Sequence, residues 1–466
     1  MKFTLRSKLS LRSLAVVGLA SLALSLGACG GPVGGGGQGG QQEGQDQGGG
    51  SETSGTVNWW GWTPTDTATA NGYIAAFNKE YPDIKVNFKL VSIPDWQAAL
   101  TPALRSDSGP DVFDMQPGSY VTKYGSFAED MTPVITKALG EDWQSKVAPA
   151  GISGLTDEDG KLTALSVGAV YSGTLWVNQG LFDKHSLKPP TTLNEWDKLC
   201  QEFKAHNQGC FVQGAAGAGF DQDTLQAIAN SVEPGLWTRA SKGEAKWNEP
   251  GMVKTLDIWG QLFSRGIMQE GAVGYQQYPD ANNDFLTGKY AMVMMGTWYT
   301  QYSTEKAMTA ALKAAGVSGA KPFPIVPIQF PDVAQAGNTS EMFGDADYGL
   351  AISTKAKNKA AAETFVTWMT TSTVGQQAVA DQLNDVPALK GIEPNFEQIK
   401  FVDPELQEAP VKDLLAKVAT VTQPRFALLN QDVQDAIFQA ATSVATGKAT
   451  PEEAANTLQQ AAEAAK

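Results

Sequence analysis

The chain has 466 residues, 35 Lys plus Arg against 49 Asp plus Glu, and a formal net charge of −14. No clustered Lys and Arg of the kind that binds a phosphate backbone is visible, which argues against a nucleic-acid partner. An acidic body with 12 Trp fits a neutral or cationic small ligand better.

Lys2, Arg6, Lys8 and Arg12 precede or open the apolar run 14–26, and no acidic residue occurs before Glu43. That is the layout of a secretory signal peptide over residues 1–28. The run of 13 residues falls short of the roughly 20 needed to span a bilayer as a helix. It ends in Leu26-Gly27-Ala28-Cys29, which resembles a bacterial lipobox and implies cleavage before Cys29 with acylation of that cysteine. An ordinary cleaved signal with an incidental cysteine is the alternative. Residues 29–55 are rich in Gly, Gln and Ser, cannot form a core and read as a tether; about 25 such residues reach on the order of 25–30 Å. Roughly 410 residues follow from Thr56, enough for two lobes.

The body opens on a β-prone stretch, TVNWWGW, that breaks into Thr and Pro. Apolar residues at helical spacing (Ala70, Tyr73, Ile74, Phe77, Tyr81) predict a helix stopped by Pro82-Asp83. Period-two alternation of Ile84, Val86, Phe88 and Leu90 predicts a strand. A helix over 96–105 and a strand around Asp111-Val112-Phe113 repeat the scheme, which argues an α/β fold with a parallel sheet. Farther on, a β-prone run 167–177, helices over 193–206 and 252–264 and a buried strand over 290–295 are expected. Helical segments over 355–370, 411–420 and 451–466 close the chain.

Apart from Cys29, only Cys200 and Cys210 remain, an even pair that reads as a disulfide in an oxidising compartment, with two free thiols as the alternative. There is no CxxC, HExxH or GxSxG, and His185 and His206 sit in polar surroundings, so neither a metal, a cofactor nor serine chemistry is expected.

Five segments, AFNKEYPDIKV, GPDVFDMQPGSY (109–120), LWVNQGLFDKHSLKPPTTLNEWDKL (175–199), FLTGKYAMVMMGTW (285–298) and YGLAISTKAKNKAAAETFVTWM (348–369), occur in an order and spacing similar to a known family. They resemble extracellular solute-binding proteins of family 1, which includes the maltose- and oligosaccharide-binding components of ABC importers. The resemblance implies a two-lobed periplasmic-binding-protein-like α/β fold that closes about a hinge on a ligand cleft. It implies chain crossings near 167–170 and 348–352, an N-terminal lobe of 56–168 plus 349–400 and a C-terminal lobe of 169–347 plus 401–466. The expected partners are a sugar, the importer's membrane subunits and, through the lipid anchor, a membrane. The protein is expected to work as an exported monomer without catalysis.

A sugar presents C–H faces that pack on aromatic rings and hydroxyls that need partners once desolvated. Trp60 and Trp62 follow the first strand, and one of such a pair normally points into the core. Trp298 follows the apolar run 290–295 and matches the sugar-stacking tryptophan that the resemblance implies; Trp237, in PGLWTRAS, is a further candidate, with surface packing as its other reading. Asp114 and Gln116 lie at the turn after a strand, with Tyr120 just beyond. Tyr171 stands where the resemblance implies a ligand contact, although the maltose-binding branch carries an acidic residue there. Asp345 and Asp347 precede the second crossing, and each aspartate also suits a turn or cap role. Three rival readings stay open. One is the same fold with a polyamine or polyol ligand; another is a secreted glycoside hydrolase, for which no pair of carboxylates is singled out; the third is a structural envelope lipoprotein, which would bind no small solute.

Overall fold

The computed structural model describes residues 51–465 apart from 66, 153, 218 and 318, and the side chain of residue 151 is also outside it. The signal peptide, Cys29 and most of the expected tether lie outside the described residues. The tether's last residues belong to the body instead: Glu52 pairs with Lys137 at 3.1 Å and its carbonyl accepts from Thr364 Oγ1 at 2.8 Å. Among the described residues no helix is long and apolar enough to cross a membrane.

Two sheets organise the described residues. The first contains six strands in the order β10-β4-β9-β3-β1-β2: β1 (Gly55–Gly61), β2 (Ile84–Leu90), β3 (Val112–Met115), β4 (Leu165–Ser172), β9 (Phe343–Ile352) and β10 (Val386–Pro387). The second has four, β6-β7-β5-β8: β5 (Thr174–Asn178), β6 (Gly209–Val212), β7 (Tyr290–Met295) and β8 (Ile325–Gln329). Helices fill the connections, as the alternation of periods predicts; Thr67–Phe77 and Trp96–Arg105 flank β2.

The expected parallel sheet is mixed. β1 runs parallel to β2 and β3, but β9 is antiparallel to both β3 and β4, with Val112 opposite Ile352 and Val170 opposite Asp345. Burial explains the miss, because β4 is buried at all eight positions and its even apolarity carries no sign of strand direction. The run 167–177 is likewise two strands, not one. It breaks at Gly173, whose φ of +95° is closed to most side chains, and there the chain passes from the first sheet to the second. It returns ahead of Phe343, so Asp345 and Asp347 lie within β9 and not before it.

Each sheet has its own core. Val57, Trp59, Tyr348, Phe365 and Met369 pack with the first, the last two from the helix Lys359–Thr371. Trp196, Trp259, Ile437 and Leu458 pack beside the second, the last two from the helices Gln431–Ala445 and Pro451–Ala464. The helix Pro404–Val418 joins this side through Gln407 Nε2, which donates to the Ile325 carbonyl at 3.0 Å. Cys200 and Cys210 are disulfide-bonded with Cα atoms 5.0 Å apart, linking the helix Leu193–Ala205 to β6.

Candidate functional site

The ends of four strands converge on one cavity of about 360 Å³. Trp62 follows β1, Gln116 follows β3, Gly214 follows β6 and Trp298 follows β7, so the carboxyl ends of strands from both sheets face it. Asp345 and Asp347, two apart on β9 and so on one face of the strand, line the cavity as well.

Of the ten residues proposed for ligand contact, six reach this cavity: Trp62, Gln116, Tyr120, Trp298, Asp345 and Asp347. The half-buried Trp62 presents its ring there, braced edge-on by Trp96 at 5.1 Å, Tyr120 at 6.0 Å and Tyr348 at 6.4 Å. Trp298 is 8% exposed; its Nε1 donates to the Tyr278 hydroxyl at 3.0 Å, and the Arg425 guanidinium lies over its ring at 4.8 Å. That face of Trp298 is therefore a platform for an arginine.

The other four are placed elsewhere. Asp114 is fully buried under the Trp62 loop and accepts from Trp59 Nε1 at 2.8 Å and from the Trp62 and Thr63 amides at 3.0 and 3.3 Å. A Cβ on Gly61 would come within 2.5 Å of its Oδ2, so the glycine admits the carboxylate that fixes Trp62. Trp60 does not line the cavity; it stands half-buried beneath Lys89, whose Nζ is 3.4 Å from its ring, while its neighbour Trp59 enters the core. Trp237 lies on the helix Leu236–Ser241 and not on a loop, buried edge-on against Trp247 at 5.0 Å. Tyr171 lines a second, larger cavity of about 1060 Å³ bounded by residues such as Leu389, Phe396 and Val418, and among the described residues no tryptophan lines it.

A third wall comes from far along the chain. Asp345 Oδ2 accepts the amides of Arg425, Phe426 and Ala427 at 3.0, 2.5 and 2.8 Å and pins that loop to β9. Gln222 and Gln226 donate to the carbonyls of Arg425 and Pro424 at 3.0 and 2.9 Å. The Arg425 side chain enters the cavity wall and makes a two-point pair with Asp223, Nε to Oδ1 at 2.7 Å and Nη2 to Oδ2 at 2.6 Å. Arg425, Phe220, Tyr278 and Phe426 were not foreseen as lining residues. Phe220 had a readable signal, the glycine-rich turn GAGF after β6; Arg425, an isolated cation after Pro424, had none.

The electrostatics follow from desolvation. Burial pushes Asp347 up to about 6, although Arg425 and a hydrogen bond with Asp385 oppose the rise. Burial and the charge of Asp347 raise Asp385 well above the ordinary carboxyl range, so Asp385 holds the pair's proton and Asp347 keeps an accepting oxygen for the cavity. Asp114 is likewise raised by burial. The result is an aromatic wall, a wall of paired charges and amide side chains at Gln116, Gln277 and Asn384, a donor and acceptor set suited to a desolvated polyhydroxyl compound.

The signature of a family described as "Bacterial extracellular solute-binding protein" matches residues 61–376. An uncharacterised ABC transporter extracellular-binding protein of Pyrococcus horikoshii is 26% identical over 51% of this chain, and the match spans only 56% of that relative's length. The "Multiple sugar-binding protein" of Streptococcus mutans serotype c is 27% identical over 70% of this chain and 73% of its own. A maltose-bound MalE3 structure from T. maritima shares the fold, with a TM-score of 0.68 at 18% identity over 88% of this chain and 100% of that one.

Proposed function

The chain belongs to the bacterial extracellular solute-binding proteins, and from that premise we propose that it captures a mono- or oligosaccharide outside the cytoplasmic membrane and delivers it to an ABC importer. The carrying observation is the cavity where strand ends of both sheets meet, with Trp62 on one side and Asp347 and Arg425 on another. A sugar-binding relative from Streptococcus mutans supports the substrate class. Function here is binding without bond chemistry: a ligand held between the walls stabilises the closed form, which the importer recognises.

In the same reading the lobes comprise 56–168 with 349–400 and 169–347 with 401–466. The contacting residues are Trp62, Gln116, Tyr120, Trp298, Asp347 and Arg425, with Asp345 and Asp114 as positioning groups. The protein acts as a monomer tethered through acylated Cys29, supported by the charged start and apolar run before that cysteine. Cys29→Ser should release it from membranes in a fractionation of expressing cells.

The test of the ligand is a thermal-shift screen of residues 51–466 against neutral saccharides, polyols, polyamines and amino acids. A compound that binds only the folded state must raise the melting temperature. A response to sugars is expected; a response confined to polyamines or amino acids contradicts the sugar reading.

A further inference from the structure

Among the described residues lining the cavity, Arg425 is the one with a cationic side chain. An arginine in a cleft ordinarily invites a carboxylate or phosphate, which its fork binds at two points. Here the fork is already used, because Nε and Nη2 both go to Asp223. Asp223 lies on the helix Phe220–Val232, is 2% exposed and does not itself line the cavity. The Arg425 side chain is 10% exposed, and its guanidinium carbon lies 4.8 and 4.2 Å from the ring centroids of Trp298 and Phe426. Among the described residues its Nη1 donates to no partner, and it is not among the polar atoms sealed from solvent. Arg425 lines the same cavity as Asp347, so it stands there as a neutralised side chain with one donor to spare.

We propose that Asp223 sets the charge selectivity of the cleft: it cancels the cation of Arg425 while leaving Nη1 free to donate, so the site accepts neutral hydroxylated ligands and rejects acidic sugars. This rests on the sugar reading above. An acidic sugar would face Asp347 and the Asp345 side chain with no uncompensated cation to meet its own charge, and neutral donors alone would replace its hydration. A neutral sugar meets a fixed donor at Arg425 and an acceptor at Asp347, the pattern adjacent hydroxyls complete. Asp223 is thus a positioning residue that acts through Arg425.

The experiment measures affinity by titration calorimetry for matched probes: glucose with glucuronate, galactose with galacturonate, galactobiose with digalacturonate, and maltose with maltobionate. The wild type should favour the neutral member of a bound pair by at least tenfold. Asp223→Asn, nearly isosteric, frees the arginine's charge and should shift the ratio at least tenfold toward the acid. Asp223→Asn combined with Arg425→Gln should lose that gain, which a merely structural role for Asp223 would not produce. A wild type that binds acid and neutral members equally overturns the proposal even if neither variant folds, and so does a folded Asp223→Asn protein with an unchanged ratio. Silence of the wild type toward every neutral sugar, here and in the wider screen, is a failure of the sugar reading itself and takes the selectivity proposal with it.

Discussion

The two sides of the cleft are built on different physics. Around Trp62 the wall is aromatic: rings brace one another edge-on and a buried Asp114 fixes the loop through three donated hydrogens. Around Arg425 the wall is ionic, with Arg425 on Asp223, Asp345 beneath three amides and Asp347 sharing a proton with Asp385. The first gains from burying apolar area and should tolerate the loss of one member. The second holds desolvated charges whose stability depends on every partner, so removing one group strands another.

The sharpest way to break the contrast is therefore Arg425→Ala. It leaves Asp223 charged and 2% exposed, and should cost about 3–5 kcal/mol in urea unfolding as well as ligand affinity. A cost below about 1 kcal/mol would mean that the wall is not held by its charges. A control far from both walls is the double change Cys200→Ser and Cys210→Ser, which opens a link across a sequence separation of 10. It should lower stability by about 2–3 kcal/mol and leave the affinity unchanged. Trp62→Ala should show the converse, with stability nearly kept and affinity falling roughly 30-fold, about 2 kcal/mol.

The smallest effect is a pH dependence of affinity, which comes from Asp347 in the ionic wall. A sugar hydroxyl donates to ionised Asp347, so affinity should rise several-fold between pH 5 and 7 as that group passes its value of about 6. The groups set against it are Asp385, which carries the shared proton, and Arg425, which opposes the rise. Stability has the opposite sign. Asp347 at about 6 and Asp221 at about 7 both lie above the ordinary 3.8, so the native state binds more protons. Their contribution is fully present below about pH 4 and is lost as pH rises through 6 and 7. Asp347→Asn should flatten the affinity profile, and Asp221→Asn should reduce the stability slope seen in melting temperature against pH.

This contrast also explains what the sequence could disclose. Trp62, Gln116 and Trp298 were legible because each follows a strand pattern within a few residues, and a strand end followed by a turn marks a ligand-facing loop. Trp237 looked similar in PGLWTRAS, but Gly235 in a left-handed conformation starts a short helix there and buries the ring. Asp114 had the right position and the opposite role, since only the fold reveals that it points beneath the loop. The ionic wall was out of reach: Arg425 and Asp223 are 202 residues apart, and no local pattern announces a pair made across that distance. The same holds for Asp347 and Asp385, which lie on β9 and just before β10 and meet only in the folded chain. Strand positions such as Ile84–Leu90 and Tyr290–Met295 were readable from periodicity, and so was the parallel run of β1, β2 and β3, whereas the antiparallel entry of β9 was not, because fully buried strands look alike either way.

The most direct test of the central claim is a crystal structure with a saccharide that raises the melting temperature. A sugar ring is expected in the cavity of about 360 Å³, against Trp62 and within hydrogen-bond reach of Arg425 Nη1 and Asp347. A sugar found instead in the cavity of about 1060 Å³ beside Tyr171 and Phe396, with the Trp62 site empty, would contradict it.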